Sequence, residues 1–387
     1  MKRVLIGLAE IAGNIRDLGL AFTQEGYHAE TVITSKNVFY QQFSYTHTLE
    51  PARWLRSIRF VRSATLKLRQ WCFFLFNFWK FDYIVYVWRD TFLPFRLDQL
   101  LLKLLRRKFC IIFCGDDIRF RPIALACEEK KFGIRNFDGA ARNAYLAGSD
   151  FRDFRRKLFL TLFTNFLTRN IFSARSQSTL TLKPFYKLFM PLFIPPNQEV
   201  KKRDRPTIIH APSNRVAKNT DFIVAAVEEL KNEGHDFDFL LLQQQTNEKV
   251  LSTLAEGHIA VDQFSSLPGR FAQEAMYCHC AVMGGNKQVY ERKCPDIPVV
   301  DIVLDKADFK NKMRDLIRHP DKIVELGAKG RRYIETYHSG AMSVTALITA
   351  MDGEREPDQI PIFESKQELL SFCEDWKQRL LIKMLVF

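Results

Sequence analysis

The chain has 387 residues, enough for two domains of about 100 to 200 residues each. Hydrophobic residues make up 47% and charged residues 26%, which excludes a disordered chain and a polytopic membrane protein; the unusual figure is 34 Phe, most of them needing burial or a lipid-like partner. The net charge of +13 is lopsided, because residues 1–200 hold 31 Lys and Arg against 16 Asp and Glu while the remainder holds 26 against 28, so an anionic partner is expected for the N-terminal half only.

From the N-terminus, the apolar run Met1 to Ala9 is interrupted at Glu10 and is too short for a secretory signal. Val4 to Ala9, Ala29 to Ser35, Tyr83 to Trp88 and Phe109 to Gly115 read as buried strands that alternate with helical patterns, the signature of βαβ units and a parallel sheet. Between them, Arg53 to Arg69 carries Trp54, Ile58, Val61, Thr65 and Leu68 at helical spacing with Arg56, Arg59 and Arg62 around them, and runs into Trp71-Cys-Phe-Phe-Leu-Phe76. A basic amphipathic helix with an aromatic flank suits a membrane surface, and Arg56, Arg59 and Arg62 are its expected contacts; ordinary packing on the sheet is the alternative. Phe151 to Leu167, with Arg152, Arg155, Arg156 and Lys157, poses the same choice. The longest apolar stretches, Trp71 to Trp79 and Leu158 to Leu167, fall short of the ~20 residues that span a bilayer.

Pro191, Pro195 and Pro196 break the pattern, and the polar segment up to Pro206 reads as a linker. The expected division is residues 1–196 as a first α/β domain, 197–206 as linker, 207–350 as a second α/β domain and 351–387 as a helical tail. In the tail, Phe372, Trp376, Leu380 and Met384 recur every four residues, and packing on the first domain is favoured over membrane contact. The eight Cys are scattered without zinc-site spacing and read as reduced thiols of a cytosolic protein, so neither a metal nor a cofactor is expected. Asp236-Phe-Asp238 resembles a metal-binding pair but precedes its strand instead of following it.

Chemistry concentrates in the second half. Thr207 to Ser213 forms a strand followed by Asn214, Arg215 and Lys218 and by a helix from Asp221 to Glu233, so a diphosphate over that loop meets two cations. A second loop ends at Pro268 and Gly269 and opens a helix with Arg270, Phe271 and Glu274; free amides at such a helix start bind phosphate, and Glu274 is placed to accept from ribose hydroxyls. In the first half, Asp116 and Asp117 follow the Phe109 strand at the sheet's carboxyl edge, where one of them can orient or deprotonate an acceptor hydroxyl or simply cap the turn.

The strings HAPSNRVAKNTDFIVAAVEEL, VDQFSSLPGRFAQEAM and LIRHPDKIVELGAKGRRYIETYHS resemble the C-terminal half of retaining GT-B glycosyltransferases of the family 4 (glycosyl transferases group 1) kind from bacterial surface-polysaccharide clusters; Gly7-Leu-Ala-Glu-Ile-Ala-Gly13 and Gly115-Asp-Asp-Ile-Arg119 match more loosely. The resemblance implies two Rossmann-like parallel-sheet domains, a nucleotide-diphosphate sugar as donor and a saccharide or lipid-linked acceptor; the basic, Phe-rich first half suits an acceptor at the inner face of the cell membrane. It implies that Arg215 and Lys218 hold the diphosphate, Glu274 the ribose, and Gly13 a close approach of the first loop to the ligand, with Ser213, Asn214, Gly269, Arg270 and Phe271 completing the donor site and Asp117 on the acceptor side. Two departures stand out: Ser266 replaces the family's frequent first Glu, and Cys278-His-Cys-Ala-Val282 replaces its Gly-x-Pro-Val. A metal-independent hexosyltransferase is the expected activity; a GT-B nucleotide-sugar epimerase and a degenerate, non-catalytic binding partner remain open, while nucleic acid is not an expected partner because no recognition motif accompanies the charge.

Overall fold

The computed structural model describes every residue except 52–58, 138, 175–176, 195–198, 265–268, 286–296 and 387. The N-terminal apolar runs form a six-stranded sheet of β1 (Arg3–Leu8), β2 (His28–Ile33), β3 (His47–Thr48), β4 (Tyr83–Val87), β5 (Lys108–Ile112) and β6 (Ile171–Phe172) in the order β3-β2-β1-β4-β5-β6. Every pairing is parallel, with Leu5 opposite Glu30 on one side and Ile84 on the other. Strands buried on both faces read as unbroken apolar runs, and Tyr-Ile-Val-Tyr-Val of β4 is buried along its whole length. The helices of this half are α1 (Asn14–Gln24), α2 (Arg59–Asn77), α3 (Leu97–Leu104), α4 (Arg121–Phe132), α5 (Gly139–Leu146) and α6 (Phe151–Leu167).

The second sheet has the order β11-β10-β9-β7-β8, all parallel, from β7 (Thr207–His210), β8 (Asp238–Leu241), β9 (Ile259–Val261), β10 (Ala281–Gly284) and β11 (Val299–Asp301). Its helices are α7 (Thr220–Asn232), α8 (Asn247–Glu256), α9 (Arg270–Tyr277), α10 (Lys306–Arg318) and α11 (Pro320–Tyr337). The tail supplies α12 (Gly340–Asp352), α13 (Lys366–Ser371) and α14 (Trp376–Leu385).

The chain divides into two compact units, each assembled from separated stretches. The first comprises 1–120, 151–191 and 339–387; the second comprises 121–150 and 192–338. Packing explains the assignment of the tail: α12 lies on α1, and Asp352 accepts from the Tyr83 hydroxyl at 3.0 Å and from Lys108 at 2.8 Å, tying it to the starts of β4 and β5. Residues 121–150 are joined to the second unit by Asn219, whose Nδ2 donates to the Asn136 carbonyl at 2.9 Å. Within that unit α11 reaches α9 and β10 through glycines: a Cβ on Gly327 would stand 2.3 Å from the His279 carbonyl oxygen. Among the described residues no helix is long and apolar enough to cross a membrane.

Against expectation, the outward stripe of the last helix is not core. α14 does lie on α6, but its buried residue is Ile382, and Trp376, Leu380 and Met384 are exposed.

Candidate functional site

In the second unit the site grows from the ends of β7 and β9. β7 closes on His210, which is fully enclosed; its Nδ1 donates to the Val261 carbonyl at 2.8 Å, so in the neutral ring Nε2 accepts the Thr220 hydroxyl at 3.0 Å. Burial, with Lys218 and Arg215 nearby, pushes the imidazole down to about 4. His210 therefore works as a neutral pin between β7, β9 and the start of α7. The loop after it is set by Asn214, whose side chain accepts from the Ala217 amide at 2.9 Å, an Asx-type turn that aims Arg215 and Lys218 onward. Asn219 then takes a left-handed conformation (φ 51°) and opens α7.

This loop and the start of α9 come together. Lys218 forms an ion pair with Asp262, the residue after β9, and the other oxygen of Asp262 accepts from the Gly269 amide at 2.8 Å. Asp262 is buried, and a Cβ on Gly269 would lie 4.0 Å from Lys218 Nζ. An ammonium and the N-terminus of α9 thus converge on one carboxylate; a phosphate oxygen meets the same two donors where Asp262 gives them up. Arg215 pairs with Asp221 near the surface, and Ser213 is exposed on the same loop. Glu274 lies in the second turn of α9, where its Oε1 accepts from Arg270 at 3.0 Å and from Asn247 at 2.8 Å. At 2% exposure it meets a ligand only after the side chains covering it shift. Phe271 is half-buried beside it. Ser266 lies outside the described residues.

In the first unit the loops at the carboxyl ends of β1 and β5 meet. Gly13 adopts φ 80°, a conformation costly for any residue with a Cβ, and starts α1. Glu10 is buried, accepts from the Ile15 and Arg16 amides at 3.4 and 3.3 Å, and is pushed up by burial to about 7. Asn14 reaches across to the Cys114 sulfur at 3.8 Å. Asp117 turns inward: it accepts from the amides of Cys114, Gly115 and Ile118 at 3.1, 2.8 and 3.1 Å, and burial pushes it up to about 6 despite those bonds. Asp116 is taken by Arg119 at 2.8 Å.

Asp236 and Asp238 are both paired with Arg205 at the amino end of β8, far along the strand from its carboxyl edge. Of the arginines expected from the sequence to contact a membrane, Arg56 and the Arg59 side chain lie outside the described residues, and Arg62 is exposed on α2. Sequence reasoning missed Asp262, His210 and Glu10. A polar residue closing an apolar strand is the signal common to His210 and Asp262.

Two α/β units with all-parallel sheets and ligand-ready loops at strand ends define a GT-B fold. Solved structures agree. Sucrose-phosphate synthase from Thermosynechococcus elongatus superposes with TM-score 0.56 at 12% identity over 92% of this chain and 100% of its own. HepE from Anabaena, solved with UDP and glucose, gives 0.55 at 10% identity over 91% and 100%. WaaG, a glycosyltransferase involved in lipopolysaccharide biosynthesis, gives 0.53 at 12% over 90% and 98%. A Listeria monocytogenes protein assigned as a UDP-N-acetylglucosamine 2-epimerase gives 0.52 at 12% over 94% and 99%, so the fold alone does not separate transfer from epimerisation. No family model and no curated relative matches the sequence.

Proposed function

We propose that the chain is a retaining, metal-independent hexosyltransferase of the GT-B kind, taking a sugar from a nucleoside-diphosphate donor to a saccharide or lipid-linked acceptor at the cytoplasmic face of the cell membrane. The observation that carries it is the convergence of Lys218, Asp262 and the Gly269 amide at the ends of β7 and β9. In the reaction the bond between anomeric carbon and diphosphate breaks as the acceptor oxygen bonds to that carbon from the same face, and the acceptor proton passes to the leaving diphosphate. Lys218, Arg215 and the amides from Gly269 to Phe271 stabilise the growing negative charge, the task a metal performs elsewhere. Ser213 and Asn214 shape the loop over the donor, and Glu274, oriented by Arg270 and Asn247, accepts from the ribose. Gly13, at φ 80°, lets the β1 loop turn into α1 within the first unit. Asp117 serves by holding the acceptor-side loop through three amides.

Calorimetric titration with nucleoside diphosphates tests the cradle. Lys218→Ala and Arg215→Ala are each expected to weaken binding about tenfold or more, since a charge-assisted contact contributes about 1.5 to 3 kcal/mol. Unchanged affinity in both variants would sink it. Turnover of a UDP-sugar without any acceptor, giving an epimer, would replace transfer by epimerisation; binding without turnover under any acceptor would favour the degenerate binding protein.

A further inference from the structure

The helical layer over β4, β5 and β6 buries one face and leaves the other apolar. α2, α3 and α6 contribute Phe74, Leu102 and Leu167 to a single core, so their inward sides are accounted for. Their outward sides are not polar. On α6, Phe159, Phe163 and Phe166 follow at spacings of four and three, placing them on one exposed stripe. α14 lies against α6 and adds the exposed stripe Trp376, Leu380 and Met384. On α2, Trp71 and Leu75 are exposed in the same way, and Trp79 and Leu104 follow in the segments leading into β4 and β5. Bonds join three of these segments at the ends of α2, α3 and α6: Arg107 donates to the Trp79 carbonyl at 3.4 Å, and Lys103 donates to the Phe166 carbonyl with its ammonium 3.7 Å from the Phe166 ring centre; α14 joins them through its packing on α6. A soluble surface rarely carries so many large apolar side chains together.

Charge identifies the occupant. Neither α2 nor α14 contains an acidic residue, and Arg62, Lys67, Lys103, Arg106, Arg156 and Lys383 are exposed around the stripes. A second copy of the chain would oppose like charges across a two-fold axis. Nucleic acid would satisfy the cations but leave the aromatic and aliphatic side chains without a partner. An anionic bilayer satisfies both, with Trp and Phe at headgroup depth and Lys and Arg on the phosphates. We infer that this outer face of α2, α3, α6 and α14 is a composite membrane-docking surface for anionic lipid. It extends the membrane reading given above from one basic helix to four, and it rests on that reading. The Glu10 and Gly13 loop leaves the same sheet at its carboxyl edge, whereas Trp79, Leu104 and Phe166 cluster at the amino edge, so docking there leaves that loop open.

Flotation with phosphatidylcholine vesicles, with and without phosphatidylglycerol, provides the test. The wild-type chain is expected to float only with phosphatidylglycerol and to stay partly bound in high salt, because salt screens the cations but not inserted rings. Phe163→Ser with Phe166→Ser, and separately Trp376→Ser with Leu380→Ser, are expected to lose about tenfold in vesicle affinity, mainly the salt-resistant part. Each pair consists of exposed residues, and nucleoside-diphosphate binding and melting temperature check that the fold survives. Bromine-labelled lipid should quench the tryptophan fluorescence, less so in Trp376→Phe. If the wild type does not float, the membrane reading itself fails. If it floats and both pairs float undiminished, binding belongs to the Arg53 to Arg69 segment and the composite face is wrong. A dimer that Phe163→Ser with Phe166→Ser turns to monomer without changing flotation assigns the face to a second copy and also overturns it.

Discussion

His210 closes the first strand of the second unit and Glu10 lies in the loop just after the first strand of the first, and burial drives both toward neutrality from opposite sides. The carboxyl of Glu10 is raised to about 7 and the imidazole of His210 lowered to about 4. Their linkages to stability have opposite signs. For Glu10 the folded pKa lies above the unfolded one, so its favourable contribution is complete below about 4.5 and is lost as pH rises to about 7. For His210 the contribution is complete above about 6.5 and is lost as pH falls toward about 4. Glu10→Gln keeps an acceptor for only one of the Ile15 and Arg16 amides, which bond to different oxygens of Glu10, a loss of the same size at every pH, and it removes the titration. With the offset at pH 4 taken as zero, the variant is expected to exceed the wild type at pH 8 by at most about 3 kcal/mol. Denaturant midpoints across that range check this, and a variant that tracks the wild type at every pH rules out an unusual Glu10.

Among the elements, α11 shows how backbone contact overrides intrinsic preference. Gly327 sits inside a helix, where alanine would ordinarily be better by about 1 kcal/mol. Its Cβ, however, would meet the His279 carbonyl oxygen at 2.3 Å and the carbonyl carbon at 2.8 Å, and backbone cannot rotate aside. Overpacking of this kind costs about 1 to 3 kcal/mol, so after the propensity gain Gly327→Ala is expected to destabilise the second unit by up to about 2 kcal/mol net. A raised melting temperature would show that α11 shifts freely. The same level shows what could be read beforehand. A run such as Tyr83 to Val87 announces a strand because burial on both faces demands unbroken apolar residues. The two-residue strands β3 and β6 carry too little pattern to be seen. The loop after β7 with Arg215 and Lys218 and the helix start at Gly269 could be picked out in the sequence, but Asp262 could not, because its place arises only when these two distant segments meet on it. The every-fourth-residue pattern of α14 fixes a face without telling whether protein or another medium covers it, and there the sequence expectation of core packing failed for Trp376, Leu380 and Met384.

At the scale of the molecule, the first unit depends on its last 49 residues, 339–387. Removing them takes α12 from α1, the Asp352 anchor from Tyr83 and Lys108, and α14 from α6. The second unit keeps its stretches 121–150 and 192–338 intact. A chain ending at His338 is therefore expected to retain nucleoside-diphosphate binding while its first unit loses cooperative melting and becomes sensitive to protease. Calorimetry showing the first unit melting as before would refute that dependence. The chain passes between the units after residues 120, 150, 191 and 338, and this order matters while the protein is being made. The ribosome delivers everything the second unit needs before it delivers the final helices of the first, so the half that begins the chain is the half that finishes folding last. Until then the side of α6 that α14 will cover stays bare, and a nascent chain stalled before α14 would carry a finished second unit and an unfinished first one exposed to chaperones and proteases.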